Sequence, residues 1–361
     1  MAGQKRSFLD GVIYFINILS ALGLLASYLA YYFNPKWFTF FSFAALAYPV
    51  LLLLNLIFIF YWLLRFKLKL LFPLICIGVG YFHLARLYQW GSPNKVVNPG
   101  ESFKVMTYNV RMFNVYKWIE EDGIPERIQN LITTEAPDVL MLQEFYKSDQ
   151  TPDLGYPYDF TKLTNDGRNY GLTILSKFPI EGTGTLQYTE PLEGEPPVNN
   201  EFIYADIVWK GRTVRFINVH LASVGLGAND YKRLENPNEG SQEEITNGFL
   251  KIIKRLHWAF QRRGEQIEAL ERAIADSPHP VVLCGDFNDT PQSYTYHRID
   301  LALKDSFMEA GSGFSKSYAR GPVPLRIDYI FHSDEFHVNN YNVVHEKLSD
   351  HYPVISELEF R

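Results

Sequence analysis

Cysteine is nearly absent from this 361-residue chain. Its two copies, Cys76 in an apolar run and Cys284 in a short hydrophobic stretch, form no spaced set, so no disulfide framework is expected and no redox compartment is marked. The first ninety positions lack acid: Asp10 stands alone there against seven Lys/Arg. The remainder lacks basic excess, with 27 Lys/Arg against 39 Asp/Glu, a net of −12. A surface that acidic repels a polyanion unless a local basic groove or bound cations intervene, which argues against duplex DNA as a partner. No internal repeat is present, and nothing in the sequence fixes an oligomeric state.

What the first ninety residues do have is apolar length. Three runs, 11–33, 37–64 and 70–90, each reach the ~20 residues a helix needs to cross a ~30 Å hydrocarbon core. Short breaks separate them: Asn34-Pro35-Lys36, then the basic 65–69 hinge. Trp37, Trp62, Tyr88 and Trp90 sit near run ends, where amphipathic rings prefer to lie. Pro49 and Pro73 are tolerable in membrane helices. A signal peptide is excluded by a first run longer than the ~7–15 residues of a signal core and by the two runs after it. Lys5, Arg6, Arg65, Lys67 and Lys69 put the N-terminus and the second loop on the cytoplasmic side, and the domain after the third helix outside, with Arg86 and Lys95 as opposing charges. The expectation is a multi-pass integral membrane protein with an extracytoplasmic domain. His83 and Arg86, close to a helix end, read as snorkelling toward headgroups.

Residues 1–90 are thus a membrane anchor, 91–101 (GSPNKVVNPG and Glu101) a linker by composition, and 102–361 a soluble domain. In that domain strand-like segments at 103–110, 138–142, 172–175, 202–208, 214–221, 281–284, 327–331 and 354–360 mix with helical ones at 124–135 and 266–275. Some strands are hairpin-linked and some helix-linked, which fits two packed sheets with outer helices.

Polar residues fall where these core-like strands end. Asn109 closes TYNV, Glu144 closes LMLQE, His220 lies in INVHL, and Asp286 and Asn288 end the run VVLCGDFN. Asp328 lies in RIDYI, and Asp350 and His351 precede the last strand. A single buried Asn or His is most often a satisfied core group. A set at neighbouring strand ends is different, because buried carboxylates need a counter-charge or a metal. Rigid strands then serve as mounts for one cleft, with Asp286 and Asn288 expected to point the same way by the two-residue strand period.

The motifs TYNV, LQE, LSK, NVHL, GDFND, RIDYIF and SDHYPV, in this order over about 102–360, resemble the endonuclease/exonuclease/phosphatase superfamily, whose members include deoxyribonuclease-, neutral-sphingomyelinase- and inositol-phosphatase-like enzymes. The chain is also similar throughout to bacterial membrane proteins that carry three N-terminal helices. The resemblance implies a four-layer α/β/β/α sandwich, here preceded by three transmembrane α-helices, and metal-assisted hydrolysis of a phosphate ester. It assigns Glu144 as the Mg²⁺ ligand (manganese as substitute), with Asp350 and Asn109 in or near its coordination sphere. His351 is the base or the phosphate-polarising group, and Asp328 orients its ring. Asp286 aligns the attacking water, Asn288 donates to a phosphate oxygen, and His220 approaches from the other side as general acid. Arg111 and Asn114, and then Arg168, Asn169 and Tyr170, are candidates for meeting substrate. Gln143 and Asp289 read as a strand brace and a turn residue.

An insertion at about 222–263 carries an amphipathic segment: Ile245, Phe249, Ile252, Ile253, Leu256 and Phe260 share one face, and Lys251, Lys254, Arg255 and Arg262 the opposite one. Such a helix covers a sheet or lies on an anionic membrane; the first is the simpler expectation. The leading functional expectation is a membrane-tethered phosphoesterase acting on a lipid headgroup or another small phosphoester. A metal-dependent nuclease and a catalytically silent membrane scaffold are the alternatives; the intact polar set opposes the second.

Overall fold

The computed structural model describes residues 2–91, 101–149, 151–164, 169–186, 202–227, 230 and 241–361. Most of the 91–101 linker with Lys95, Arg168, and most of 228–240 in the insertion lie outside the described residues.

Five helices form the N-terminal part: α1 (Ala2–Leu29), α2 (Pro35–Leu46), α3 (Tyr48–Leu64), α4 (Leu71–Val79) and α5 (Tyr81–Leu87). Among the described residues one straight helix, Phe8–Leu29, is long and apolar enough to cross a membrane. That number rises to three only if each bent pair is one span: α2 with α3, bent by 49°, and Leu68–Val79 with α5, bent by 68°. The expectation of three unbroken helices is corrected accordingly. The causes are local. Pro49 lies in the first turn of α3, where a missing N–H is harmless, whereas the same residue cannot continue α2. At Gly80 a Cβ would lie 2.1 Å from the Tyr28 ring, so the second bend closes on α1 only with glycine. Polar contacts join α1 to α3: Asp10 meets Arg65 at 2.9 Å, Trp62 Nε1 donates to Asn17 Oδ1 at 3.1 Å, and Asn55 Nδ2 donates to Ser20 Oγ at 3.0 Å. In apolar surroundings such bonds hold helices together.

From Ser102 onward the chain builds two six-stranded mixed sheets. The first has the order β11 (Phe336–Val343), β12 (Val354–Phe360), β1 (Ser102–Asn109), β2 (Val139–Tyr146), β4 (Tyr170–Ser176), β3 (Tyr158–Leu163). The second runs β5 (Ile180–Leu186), β6 (Phe202–Trp209), β7 (Arg212–His220), β8 (Val281–Asp286), β10 (Asp328–His332), β9 (Lys304–Asp305). Each sheet has one parallel pair, β1 with β2 and β7 with β8. Val105, Met141 and Ile174 of one sheet meet Ala205, Phe216 and Cys284 of the other in the central core. On the outside, α6 (Ile124–Glu135) lays Ile128 and Ile132 on the first sheet. The long α7 (Gln242–Ala275) and the short α8 (Tyr294–Asp300) cover the second through Ile267, Leu270 and Ile299. Every residue of β8 is buried, which is why its sequence is a continuous apolar run.

The two parts are fastened to each other. Tyr31 joins the core under α7 and α8, Arg86 pairs with Asp300 at 2.6 Å, and Gln261 Nε2 donates to Lys36 O at 3.3 Å. Gly264 of α7 lets Asn34 and Pro35 approach closely; a Cβ there would lie 2.7 Å from Asn34 Oδ1. Gly285 does the same inside the second sheet. Its φ is +143° and a Cβ would lie 2.0 Å from Val219 O. Gly285→Ala is therefore expected to destabilise the protein by well over ~1 kcal/mol, because both the conformation and the space are denied to a methyl group. An unchanged thermal midpoint followed by circular dichroism would show that β7 and β8 can part.

Candidate active site

The second sheet sets three of the expected residues side by side. His220 at the end of β7 is in register with Asp286 at the end of β8, and Asp286 with Asp328 at the start of β10. Asn109, at the end of β1, comes from the first sheet, and its Nδ2 donates to Asp286 Oδ2 at 3.0 Å across the gap between sheets. The same amide lies 3.4 Å from Glu144 Oε1. Asp350 and His351 arrive on the loop before β12. His351 Nδ1 is 2.9 Å from Asp328 Oδ2, and its Nε2 is 3.6 Å from Asp286 Oδ2. His220 Nε2 is 3.5 Å from that same oxygen, too long for a hydrogen bond. Asp286 thus sits between two imidazoles and an amide.

Two placements differ from the strand-end expectation. Glu144 does not end β2, which continues to Tyr146; it lies where the β2–β4 register shifts, between Leu142 and Phe145, at φ +49°. A bulge re-aims a side chain out of the sheet plane, and a non-glycine residue held at positive φ marks stored strain. Asn288 does not share the strand period with Asp286, because β8 stops at Asp286 and Asn288 has φ +51°. Its N–H donates to Asp286 Oδ1 at 2.8 Å and its Nδ2 to Leu221 O at 3.1 Å. The turn, not the pleat, brings the two together.

Electrostatics are dominated by carboxylates. Burial opposes a charge on His351, but Asp328 and Asp286 outweigh it and hold the imidazole well above its ordinary pKa. Burial pushes the Glu144 carboxyl upward. No basic side chain forms an ion pair with Glu144 among the described residues. An uncompensated carboxylate with oxygen-bearing neighbours is the setting a hard divalent cation fits. Asp286, Asp328 and His351 also offer ligand atoms that all lie within 4.8 Å of one another. Their composition suits a divalent metal as well, although His351 Nδ1 is already committed to Asp328.

Most of the cluster lines a cavity of about 760 Å³, with Asn109 and Asp328 behind the lining residues they bond. Glu144, His220, Asp286, Asn288, Asp350, His351 and Arg111 all face it. Arg111 pairs with Asp350 at 3.0 Å and packs over Trp118. Asn169 is exposed and outside the lining, its carbonyl accepting from Lys147 N at 2.9 Å. Asn114 caps the backbone of Ile119 instead of meeting the cavity. Asp289 binds the buried Arg263 at 3.1 Å.

The sequence reading took Gln143 as a strand brace and passed over the other supports. Gln143 Nε2 donates to Asn218 Oδ1 at 2.7 Å, and Asn218 donates to Leu142 O and Thr173 O, so one buried amide pair ties the sheets together behind the cluster. Ser317 Oγ accepts from the backbone of Ile327 and Asp328, and Ser349 Oγ donates to Asn109 O at 2.8 Å. The Tyr318 ring stands edge-on to His351. Asn218 carries a legible signal, an amide inside an apolar strand; the serines carry none.

Comparison with known proteins agrees with this geometry. A family model described as the Endonuclease/Exonuclease/phosphatase family matches residues 106–351, and one described only as a domain of unknown function matches residues 10–87. No curated protein matches the chain. Among solved structures, an endonuclease/exonuclease/phosphatase from Beutenbergia cavernae is similar at 20% identity and a TM-score of 0.51, over 72% of each chain. A Bacteroides thetaiotaomicron protein of that family gives 22% and 0.51, over 72% of this chain and 95% of that one. The human Nocturnin catalytic domain, solved with a sulfate anion, gives 16% and 0.50, over 75% and 100%. At these identities the structures speak for the fold; the family model, covering most of the chain and every residue of the polar cluster, makes this protein a member of the endonuclease/exonuclease/phosphatase family, a metal-dependent hydrolase of phosphoric ester bonds.

Proposed function

We propose that the protein is a membrane-tethered, Mg²⁺-dependent phosphoesterase that hydrolyses a lipid headgroup or another small phosphoester. The observation that carries this reading is the meeting of carboxylates, imidazoles and the Asn288 amide from both sheets on one cavity that Leu46 of α2 also lines. Glu144 and Asp350, with Asn109 beside them, are the residues to hold the metal. A divalent ion held by them would supply charge neutralisation at the phosphate oxygens.

The chain's own groups divide the remaining work. His351, held by Asp328 and kept protonated by its carboxylate neighbours, donates from Nε2 to a non-bridging phosphate oxygen. Of the two roles open to it, this is the one its raised pKa favours. Asp286 orients the attacking water and takes its proton. A P–O bond forms from water as the ester P–O bond breaks, and His220 supplies the proton to the leaving oxygen. Asn288 spends one Nδ2 hydrogen on Leu221 O and has the second for the phosphate. Arg111 meets the substrate's negative charge at the cavity wall.

Each bent helix pair is read as one span, giving a three-pass anchor over 1–90, a 91–101 linker and a catalytic domain over 102–361. The domain docks on the end of α1 opposite Asp10, through Tyr31 and the α1–α2 turn. With the N-terminus cytoplasmic, that end is extracytoplasmic, and protease accessibility in intact cells tests the assignment. Against the nuclease alternative stand the −12 balance of the residues after the anchor and the pairing of Arg263, at the cavity, with Asp289.

The deciding experiment gives the detergent-solubilised full chain sphingomyelin, phosphoinositides, bis-nitrophenyl phosphate, and single-stranded and duplex DNA. Hydrolysis of lipid or small esters, lost on chelation and restored by Mg²⁺, is expected. Cleavage confined to DNA would overturn the reading.

A further inference from the structure

We infer that the apolar part of the active-site cavity is a subsite for the hydrocarbon chain of a phosphoester lipid, loaded from the bilayer between α2 and α7. This rests on the phosphoesterase reading and narrows its substrate. The cavity has two chemistries. Its lining joins the carboxylate and imidazole cluster to an apolar set: Ile252, Leu256 and Phe260 of α7, Leu46 of α2, and Leu226 and Val323 from neighbouring loops.

The apolar face of α7 is therefore not wholly spent on the sheet. Ile267 and Leu270, in its C-terminal half, pack on β7 and β8. One face of the N-terminal half looks into the cavity instead. The basic face is not simply solvated either, since Arg262 is buried and Arg255 donates to Gly225 O at 3.0 Å. A small hydrophilic ester gives no reason to line its site with leucine, isoleucine and phenylalanine, whereas an amphiphile matches both parts at once.

Two further observations point to a lipid as the source of that chain. Leu46 is the last residue of α2, so the cavity wall is continuous with the apolar N-terminal segment, and Phe43 of the same helix packs edge-on against Phe260. On the same two helices, α7 exposes Phe249, Leu250 and Ile253, and α2 exposes Trp37 and Phe40 at 73% and 71%. Aromatic and aliphatic side chains left open on two adjoining helices suit the headgroup–acyl boundary of a membrane. The volume, about 760 Å³, admits a phosphate with the first part of a chain, the remainder staying in the bilayer.

The test measures kcat/KM of the full chain, in detergent with Mg²⁺, on methyl, butyl, hexyl and octyl p-nitrophenyl phosphodiesters. Rates are expected to rise with length, by up to about fourfold for each methylene taken into the wall. Partition into micelles also grows with chain length, so the quantity compared is the octyl-to-methyl ratio in wild type against Leu256→Gln and Leu46→Gln. A ratio lowered about tenfold or more in both variants supports the subsite, a loss within reach of a few displaced methylenes. Because the ratio is internal to each preparation, partial unfolding does not mimic the effect. An unchanged ratio in both variants, with the methyl ester still hydrolysed, overturns the subsite and leaves the phosphoesterase intact. Failure of every ester with Mg²⁺ present would remove the phosphoesterase reading, and the subsite with it.

Discussion

Replacing His351 with alanine is expected to lower kcat on a phosphodiester by about 10³-fold, within the ~10²–10⁴ that a positioned proton donor or acceptor contributes. No other described imidazole has the same setting. Asp328 fixes its Nδ1 at 2.9 Å, Ser317 in turn fixes the Asp328 backbone, and Nε2 is left to face Asp286 and the cavity. His220, the nearest other imidazole, lacks a partner that orients its ring in this way, its Nε2 having no hydrogen bond. Alanine also strands the buried Asp328 carboxylate, which carries a folding cost of a few kcal/mol of its own. His351→Asn keeps a donor toward Asp328 and separates the two effects. Its thermal midpoint should fall less than that of the alanine variant, because the donor is kept and only the imidazolium charge is lost, while kcat falls by the same order. A His351→Asn enzyme that turns over at the wild-type rate would remove this residue from the chemistry.

The second large effect concerns Glu144. Glu144→Gln is expected to weaken Mn²⁺ or Mg²⁺ binding by more than about 100-fold, since loss of even an outer partner of a ligand costs ~10–100-fold. It should also raise the thermal midpoint of the metal-free protein. The sign follows from the site. Burial raises the Glu144 pKa, so keeping the carboxylate ionised at neutral pH costs folding free energy, and a neutral amide removes that cost. Wild type should therefore gain stability on adding Mg²⁺ and the variant should not, a contrast that titration calorimetry and thermal melts both read. Lower metal-free stability in the variant would mean that Glu144 is a satisfied structural group.

How much of this was legible depended on which force placed each residue. The helix at Ile124–Glu135 and the strand at Val354–Phe360 match the sequence reading, because a Gly-Ile-Pro start and an uninterrupted apolar pattern leave few alternatives. The strands Tyr158–Leu163 and Ile180–Leu186 were not visible. Both are sheet edges with half-exposed positions, and the second contains Gly182 and Gly184, which read as loop. The helix Gln242–Ala275 was read in two pieces because Arg262, Arg263 and Gly264 interrupt its periodicity. Arg263 and Gly264 are explained by tertiary contacts, with Asp289 and with the α1–α2 turn, whereas Arg262 pairs with Glu265 one turn along the same helix.

The cluster itself was legible because carboxylates, amides and imidazoles are costly at the ends of buried strands and need a reason to be there. What the sequence could not convey was how they are aimed. Glu144 reaches the cavity from a bulge, which a glutamate does not signal, and Asn288 from a left-handed turn, which asparagine tolerates better than most residues but does not announce by itself. The bends at Ala47 and Gly80 were equally hidden, since hydropathy records length and not direction.

The central claim is that groups carried by two separate sheets close around one divalent cation. Anomalous diffraction from crystals of the full chain soaked in Mn²⁺ tests it directly. The account predicts an ion at oxygen-ligand distance, about 2.1 Å, from Glu144, with Asp350 beside it and His351 facing the same cavity. An ion seated instead among Asp286, Asp328 and His351, or Glu144 and His351 opening onto different surfaces, would contradict it.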